Sequence, residues 1–301
     1  MNWIKRFFSG KTEPQPHNFS KVMQNKECCV AFLSGDFYED YEIISCLAGW
    51  NDIFKSIVVF TVAQNFEFQR RLQNTGNISF RIFSPEQPLF KESLILNFSA
   101  SKEIRRYLSR NHDSSIADIH NQSNLQFLPQ PQNARELMTK SAQFYGISLQ
   151  KKQLAIELSE AEKESIKGKF IQNRFQNFVF DCDDKFPVKL MENHVISFKQ
   201  NFSANVYLTD KTFVSKELIN IEVMPVHNLF ELFSLVSGSD LFVTSKTSLA
   251  KLLGELGYFT ILLGEQTGVK NVVSVHPKEL FVMKNVIRQH LTEKKEMPFP
   301  A

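Results

Sequence analysis

A strand, a short polar turn, a helix and a second strand follow one another within residues 240–268, and this order constrains the fold more than any other stretch. The run at residues 241–244 has the apolar, partly β-branched composition of a buried strand. Residues 245–248 are polar, an amphipathic segment follows, and a second apolar run at residues 259–263 ends at Gly264. The order predicts a βαβ unit. Because its first turn opens a helix, the free N–H groups there suit an anionic ligand.

Strand and helix patterns alternate on both sides of residues 151–158, a charged and only mildly apolar stretch. This alternation predicts an α/β protein with two doubly wound, Rossmann-like domains that face each other across a cleft. We place an arm and linker at residues 1–26, the first domain at residues 27–155 and the second at residues 156–301. The first domain has predicted strands at residues 28–33, 56–62, 78–83 and 94–98, and helices at 41–48, 67–73, 102–109 and 134–145.

Composition excludes several classes of protein. The chain has 301 residues with a net charge of +3, which is too small to indicate nucleic acid as a partner. No apolar run approaches the ~20 residues needed to cross a bilayer. The four cysteines have no spacing typical of zinc or of a disulfide framework, so we expect buried free thiols in a reducing, cytoplasmic compartment.

The first eleven residues leave two interpretations open. They combine one Trp and two Phe with three basic side chains, the mixture found in segments that lie among lipid headgroups: Trp3, Lys5, Arg6, Phe7, Phe8 and Lys11. A helix on the protein's own surface has the same composition. The first interpretation places the protein peripherally on the cytoplasmic face of the inner membrane, and the second places it in the cytoplasm without that contact.

Two acidic stretches follow predicted strands. Asp36 comes after Ser34-Gly35 at a strand end, where a general base would face the cleft. A helix N-cap is the alternative interpretation, and periodicity alone favours it, since Asp is a preferred capping residue. Asp181 and Asp183 also end a strand, where carboxylate oxygens suit a hard cation such as Mg²⁺. A solvated acidic turn is the alternative, and the tandem-domain pattern favours no metal.

Several segments match a known pattern in order. They are Ser34-Gly35-Asp36, Lys185-Phe186-Pro187, residues 239–248 (Ser-Asp-Leu-Phe-Val-Thr-Ser-Lys-Thr-Ser), Leu256-Gly257 and residues 260–264 (Thr-Ile-Leu-Leu-Gly). In this order they resemble glycosyltransferase family 9, the heptosyltransferase-like enzymes of the GT-B fold. The register agrees best in the second half. The lysine before Phe186 is shifted by one position from the family's Lys-x-Trp-Pro.

The resemblance implies a function and a set of site residues. It implies transfer of a sugar from a nucleotide-sugar donor to a glycan, a lipopolysaccharide-type acceptor or another lipid-linked acceptor, with Asp36 as the base. It implies no cofactor and no divalent metal. Basic residues of the first domain, Arg105 and Arg106, would receive the acceptor. The donor's phosphates would be held by Lys185, Lys189, Ser245, Lys246, Thr247, Ser248 and Lys251.

Departures from the family pattern support a second hypothesis. Where the family has Asp-Thr-Gly, this chain has Lys246-Thr247-Ser248, and Lys251 replaces a His. A side chain in place of Gly restricts the approach of a phosphate to the backbone. The alternative is therefore a catalytically inactive GT-B relative that acts as a binding or scaffold subunit, and the sequence leaves open whether the protein is an enzyme.

Overall fold

The computed structural model describes residues 28–91, 93–111, 114–120, 130–183, 185–202, 204–210 and 221–296. The predicted arm and linker, residues 1–26, lie outside these ranges. Two parallel β-sheets form the centre of the two halves, and the α/β class with doubly wound sheets is confirmed. The first sheet has the strand order β4-β2-β1-β5-β6, and the second has β10-β9-β8-β11-β12-β13.

The first half alternates strands and helices. Its elements are β1 (Cys28–Phe32), α1 (Phe37–Ala48), β2 (Ser56–Thr61), α2 (Ala63–Arg70), β3 (Leu72–Gln73), β4 (Ile78–Ile82), β5 (Leu94–Asn97), α3 (Lys102–Leu108), β6 (Ser115–Asp118) and α4 (Ala134–Phe144).

The second half repeats this arrangement. Its elements are β7 (Ala155–Ile156), α5 (Glu160–Lys167), β8 (Gln176–Asp181), α6 (Val188–Phe202), β9 (Ala204–Leu208), β10 (Glu222–Val223), α7 (Leu229–Gly238), β11 (Leu241–Thr244), α8 (Thr247–Glu255), β12 (Thr260–Leu263), β13 (Val272–Val275) and α9 (Leu280–Glu296).

Strand β1 shows why these sequences form buried parallel strands. Cys29 and Ala31 pack into one hydrophobic cluster, whereas Val30 and Phe32 pack into another on the opposite face. Side chains alternate between the faces of a strand, so a strand covered on both faces must be apolar throughout. This accounts for the continuous apolar run that identified β1 in the sequence.

Several elements differ from the sequence prediction. The helix expected at residues 67–73 spans Ala63–Arg70, because it begins after Val62, which makes no side-chain capping hydrogen bond that a pattern could reveal. Strands β6 and β13 were not predicted. Each has only four residues, and β6 ends in a buried Asp118 that accepts a hydrogen bond from Asn97 Nδ2 at 2.9 Å.

The two halves pack against each other over a shared hydrophobic cluster. The ring of Phe68 on α2 meets that of Phe233 on α7 edge to face, with centroids 5.6 Å apart. Helix α1 packs against α8, and the short strands β3 and β7 pair antiparallel. The cluster contains residues of both sheets, for example Ala31 and Phe242. The predicted boundary at residues 155/156 falls within β7 and stays a prediction.

The four cysteines are free thiols, three of them buried and Cys28 half-buried. None of the described helices is both long and apolar enough to cross a membrane.

Candidate functional site

The candidate site lies where the carboxyl ends of the two sheets meet. In the first sheet the chain leaves β1 in one direction to β2 and returns to β5 on its other side, so the strand order reverses between β1 and β5. In the second sheet the reversal lies between β8 and β11. Ligands of open α/β sheets bind in the crevice at such points. The turn after β1 carries Asp36, and the turn after β11 carries residues 245–248.

These two turns are in direct contact. The Ser248 hydroxyl, in the first turn of α8, donates to Asp36 Oδ1 at 2.6 Å. The same oxygen of Ser248 accepts from the backbone N–H of Tyr38 at 3.0 Å. Ser248 therefore helps to cap α1, although it lies 212 residues from Asp36 in the chain. The N-termini of α1 and α8 point at one shared polar position.

Asp36 is the N-cap of α1, as one of the two interpretations predicted. Its Oδ1 also accepts from the N–H groups of Tyr38 and Glu39, at 3.1 and 2.9 Å. No described residue donates to Oδ2. Asp36 is exposed and lines a cavity of about 560 Å³ between α1, α4 and α8. The cap does not test the predicted role of Asp36 as a base, because Oδ2 is still available to accept a proton.

The cavity beside Asp36 is lined by charges of both signs. Glu42 is ion-paired with Lys151, and it also bonds the Tyr38 hydroxyl. Burial, with the charges of Glu42 and Glu255, raises the pKa of Tyr38 to about 12, so this phenol stays protonated at neutral pH. The Lys251 ammonium lies over the Tyr38 ring, 5.4 Å from its centroid. Arg135 adds a further cation to the wall.

Lys246 is the N-cap of α8, but its ammonium is engaged. It lies 2.9 and 3.1 Å from the two carboxylate oxygens of Asp181, which is almost fully buried. Thr209 also donates to Asp181, at 2.5 Å. This cluster lines a cavity of about 230 Å³ that reaches Phe37 of the first half. A buried carboxylate needs such a partner, so the first role of Lys246 in this arrangement is to neutralise Asp181.

Asp181 and Asp183 do not converge on one point. Asp181 lines the 230 Å³ cavity, whereas Asp183 lines a different cavity of about 490 Å³. The carboxylate of Asp183 accepts from the N–H of Lys185 at 2.8 Å, and the N–H of Asp183 donates to Ser245 Oγ at 2.7 Å. Among the described residues, no group of three or more His, Cys, Asp or Glu side chains could hold a metal ion.

The predicted donor residues are divided among three places. Lys185 and Ser245 line the 490 Å³ cavity, together with His276 and Lys278. Lys246 lines the cavity with Asp181, and Lys251 lines the cavity with Asp36. Lys189 is exposed in the first turn of α6 and lines none of these cavities, and Thr247 is exposed. The side chain of the N-cap residue Lys246 makes no capping bond to the N–H groups at the start of α8, so these groups suit an anion.

The predicted acceptor residues Arg105 and Arg106 lie on α3. Arg105 donates to the carbonyl oxygen of Ala100 at 2.8 Å, and Arg106 is exposed. Neither lines the three cavities described above. Their role in acceptor binding stays a prediction.

Sequence reasoning missed Asp40, which lies one turn into α1 and is fully buried. A signal was present, because Asp40 is spaced at four and seven residues from Ile44 and Leu47 on the apolar face of the helix. An ionisable residue in an apolar stripe is buried by the same packing as its neighbours. Arg135 and Lys151 were missed for a different reason, since only the fold brings them to α1.

No protein-family profile and no curated protein sequence matches this chain. Its structure is similar to that of the glycosyl transferase family 9 protein from Veillonella parvula, with a TM-score of 0.61, 9% identity and coverage of 89% of this chain and 96% of the other. It is also similar to ADP-heptose lps heptosyltransferase II of E. coli (0.59, 12%, 89% and 99%). A putative UDP-N-acetylglucosamine 2-epimerase from Listeria monocytogenes matches as well (0.52, 9%, 90% and 89%).

These likenesses establish the GT-B fold and confirm, at the level of fold, the resemblance to heptosyltransferases inferred from the sequence. At such low identity they do not decide the reaction. The same fold occurs in proteins named as transferases and as an epimerase, so the function has to be argued from the site.

Proposed function

We propose that this protein is a glycosyltransferase that transfers a sugar from a nucleotide-sugar donor to a glycan or a lipid-linked acceptor. The observation that carries the proposal is the meeting of the two switch points, where Asp36 of one sheet contacts Ser248 of the other. An acceptor on the first half and a donor on the second would be brought together there. Similar E. coli heptosyltransferase structures contain ADP and ADP-2-deoxy-2-fluoro heptose, which supports a nucleotide sugar as the donor class.

In the proposed reaction Asp36 Oδ2 accepts the proton of an acceptor hydroxyl that lies in the 560 Å³ cavity. The hydroxyl oxygen forms a bond to the anomeric carbon of the donor sugar, and the bond from that carbon to the nucleoside diphosphate breaks. The diphosphate leaves with its negative charge. The N-terminus of α8 and the Lys185 ammonium lie on the second half, where they would stabilise this charge.

The acceptor and the location of the protein are part of the proposal. A glycan or a lipopolysaccharide-type lipid would present a hydroxyl to the cavity, whose cations Arg135 and Lys251 suit an acidic or phosphorylated sugar. A nucleotide-sugar donor and free thiols are consistent with a cytoplasmic enzyme. Peripheral contact with the inner membrane would bring it to a lipid-linked acceptor.

One observation favours the alternative of a non-catalytic binding or scaffold subunit. The anion-binding turn is occupied by the protein's own groups, since Lys246 is paired with Asp181 and Ser248 with Asp36. A donor would have to displace or bypass both contacts. A protein that had lost donor binding could keep them as structural links between its halves.

Calorimetric titration separates the two functions. Nucleoside diphosphates and nucleotide sugars with each common base are titrated into the full chain. The enzyme proposal expects saturable binding at micromolar concentration by one base class, and Lys185→Ala should weaken that binding at least about tenfold, since one charge-assisted contact is lost. Lys270→Ala removes another exposed lysine and serves as the matched control. If none of the nucleotides or nucleotide sugars binds, the result supports the scaffold function instead.

The base is tested separately with the donor identified by titration. Asp36→Asn retains a capping side chain, so α1 keeps its N-cap while the proton acceptor is lost. We expect sugar transfer to fall by about 10²-fold or more, with nucleotide binding unchanged. Asp52→Asn changes an exposed carboxylate elsewhere and should transfer normally. Transfer at the wild-type rate by Asp36→Asn would exclude Asp36 as the base.

A further inference from the structure

The carboxyl of Asp40 lies beneath the turn that carries Asp36. Its side chain is fully buried, and Oδ1 accepts three hydrogen bonds from that turn. The donors are the N–H and hydroxyl of Ser34, at 3.1 and 3.2 Å, and the N–H of Gly35, at 3.2 Å. One oxygen of Asp40 thus fixes two successive backbone positions immediately before Asp36.

The second oxygen of Asp40 faces α2. Asn65 Nδ2 and Gln69 Nε2 donate to Oδ2 at 3.4 and 3.2 Å. Asn65 Nδ2 also donates to the carbonyl oxygen of Gly35 at 3.2 Å. The carboxyl therefore joins α1, the turn and α2 in one network. The described side chains that bond it, Ser34 of the turn and Asn65 and Gln69 of α2, are all neutral, so no described cation is bonded to this carboxylate.

The turn held by Asp40 determines where Asp36 lies. A second hydrogen bond holds the backbone of this turn, from the N–H of Asp36 to Ser34 Oγ at 3.2 Å. Gly35 has φ +92°, a conformation that residues with a Cβ rarely adopt, and an added Cβ would lie 3.3 Å from Val62 Cγ1. With this tight geometry, movement at Ser34 or Gly35 moves Asp36 and its contact with Ser248.

We propose that Asp40 is a positioning residue for the reaction, and that its ionised carboxylate holds the turn of residues 34–36 in the orientation that sugar transfer requires. The inference rests on the proposed role of Asp36 as the base. A proton on Asp40 weakens the acceptor for Ser34 and Gly35, because bonds to a charged acceptor are about twice as strong as neutral ones. The buried O–H of a protonated Asp40 would in turn need a hydrogen-bond acceptor.

That acceptor is present in the network. The amide oxygens of Asn65 and Gln69 are buried and have no hydrogen-bond partner among the residues that the structure describes. If either amide group turns so that its oxygen faces a protonated Oδ2, that oxygen accepts the new O–H bond. The N–H bond that the same amide donated to the carboxylate is then lost. A turn of Asn65 also removes its bond to the carbonyl of Gly35. Burial raises the pKa of Asp40 to about 7 against the lowering effect of its hydrogen bonds, so the change falls near neutral pH.

Asp40→Asn tests the proposal as a neutral side chain of the same shape. We expect kcat to fall roughly 10–100-fold, the effect of misplacing a catalytic group, with nucleotide binding unchanged. The wild-type kcat should decrease on the acid side with a midpoint near pH 7, and this limb should be missing in the variant. Asp52→Asn, an exposed carboxylate, is the matched control. A wild-type kcat and pH profile in Asp40→Asn would overturn the proposal.

A second measurement does not depend on activity. The amide resonances of Ser34 and Gly35 should titrate with the same midpoint in the wild type and should be constant in Asp40→Asn. Gln69→Met, which removes one donor to the charged form, should move the midpoint to higher pH and serves if Asp40→Asn does not fold. If the wild type transfers no sugar from any donor but the two amides titrate, the proposed function fails and the Asp40 network stands. If the wild type transfers sugar but the amides do not titrate, the network has no such role.

Discussion

Lys246 is ion-paired with the almost completely buried carboxylate of Asp181, so replacing Lys246 should lower the stability of the fold. Lys246→Met keeps the length of the side chain but leaves Asp181 with Thr209 as its one remaining described donor. Removing one partner of a buried pair costs several kcal/mol, and Lys246 is about one-third exposed, so we expect a loss of about 2–3 kcal/mol of unfolding free energy. Urea denaturation at pH 7 measures the loss.

Two further variants show whether the charge of Asp181 is the cause. The double variant Lys246→Met with Asp181→Asn should regain most of the lost stability, because no charge is left uncompensated. Lys163→Met breaks an exposed pair with Glu160 and should cost less than about 0.5 kcal/mol. Equal losses for Lys163→Met and Lys246→Met would contradict the argument. A functional test based on Lys246→Ala alone would confuse lost stability with lost donor binding.

At the scale of residues, the sequence predicted contacts between near neighbours. The three-residue spacing of Ser159 and Glu162 predicts a capping box at the start of α5, and both of its hydrogen bonds are present. The N-cap interpretation of Asp36 is likewise confirmed. The pair of Lys246 and Asp181 and the bond of Ser248 to Asp36 could not be predicted, because their partners are 65 and 212 residues apart in the chain.

At the scale of elements, two glycines at the ends of α7 and α5 should respond oppositely to the same change. A Cβ on Gly238 would lie 2.4 Å from Ile166 Cγ2 and 2.9 Å from Phe170 Cε2, so Gly238→Ala forces the two helices apart. We expect a loss of about 1–3 kcal/mol from this overpacking. Urea denaturation at constant pH, with the dependence of the unfolding free energy on urea concentration fitted for each variant, measures this loss.

Gly168→Ala is the matched variant. Gly168 ends α5 with helical φ, −64°, and an added Cβ would meet only backbone oxygens at 3.5 and 3.6 Å. Alanine reduces the freedom of the unfolded chain at such a site, so we expect a gain of about 0.4–1 kcal/mol. If both alanine variants lose stability to the same extent, the contact of α5 with α7 is not the source of the effect.

Strongly apolar elements were predictable and short or half-buried ones were not. Strands β1, β2 and β5 are continuous apolar runs because helices cover both faces of the sheet. Three of the four residues of β13 are half-buried. Its Val-Val-Ser-Val sequence is too short to show the alternation of apolar and polar residues that identifies a strand. Strand β7 forms by pairing with β3, which precedes it by some eighty residues, so its sequence alone carries little signal.

At the scale of the whole molecule, the two halves behave as one packed body in the part of the chain that the structure describes. One hydrophobic cluster includes β1 of the first sheet and α7, α8 and β11 of the second. The order of the elements predicted two domains with a cleft, and the resemblance to glycosyltransferase family 9 implied the GT-B fold. It could not predict this shared core, because the apolar face of α7 has the same pattern whether it packs on its own sheet or on the other half.

The shared core makes a prediction about unfolding. Phe233 on α7 is fully buried and contacts both Phe68 of the first half and Tyr258 of the second. Phe233→Ala should lower the unfolding free energy by about 3–5 kcal/mol. Because the core is common, amides of both sheets should exchange faster by the same factor, for example Ala31 in β1 and Val243 in β11. Hydrogen exchange read by mass spectrometry measures both.

Phe281→Ala is the matched control for this prediction, since Phe281 has 75% of its surface exposed and its removal should change stability by less than about 0.5 kcal/mol. Faster exchange in β11 with unchanged exchange in β1 would mean that the halves unfold independently. In that case the contact of Asp36 with Ser248 could open without loss of either domain, and a donor could reach the start of α8 by separation of the halves. Coupled exchange would instead require a ligand to enter through the cavities beside Asp36 and Lys185.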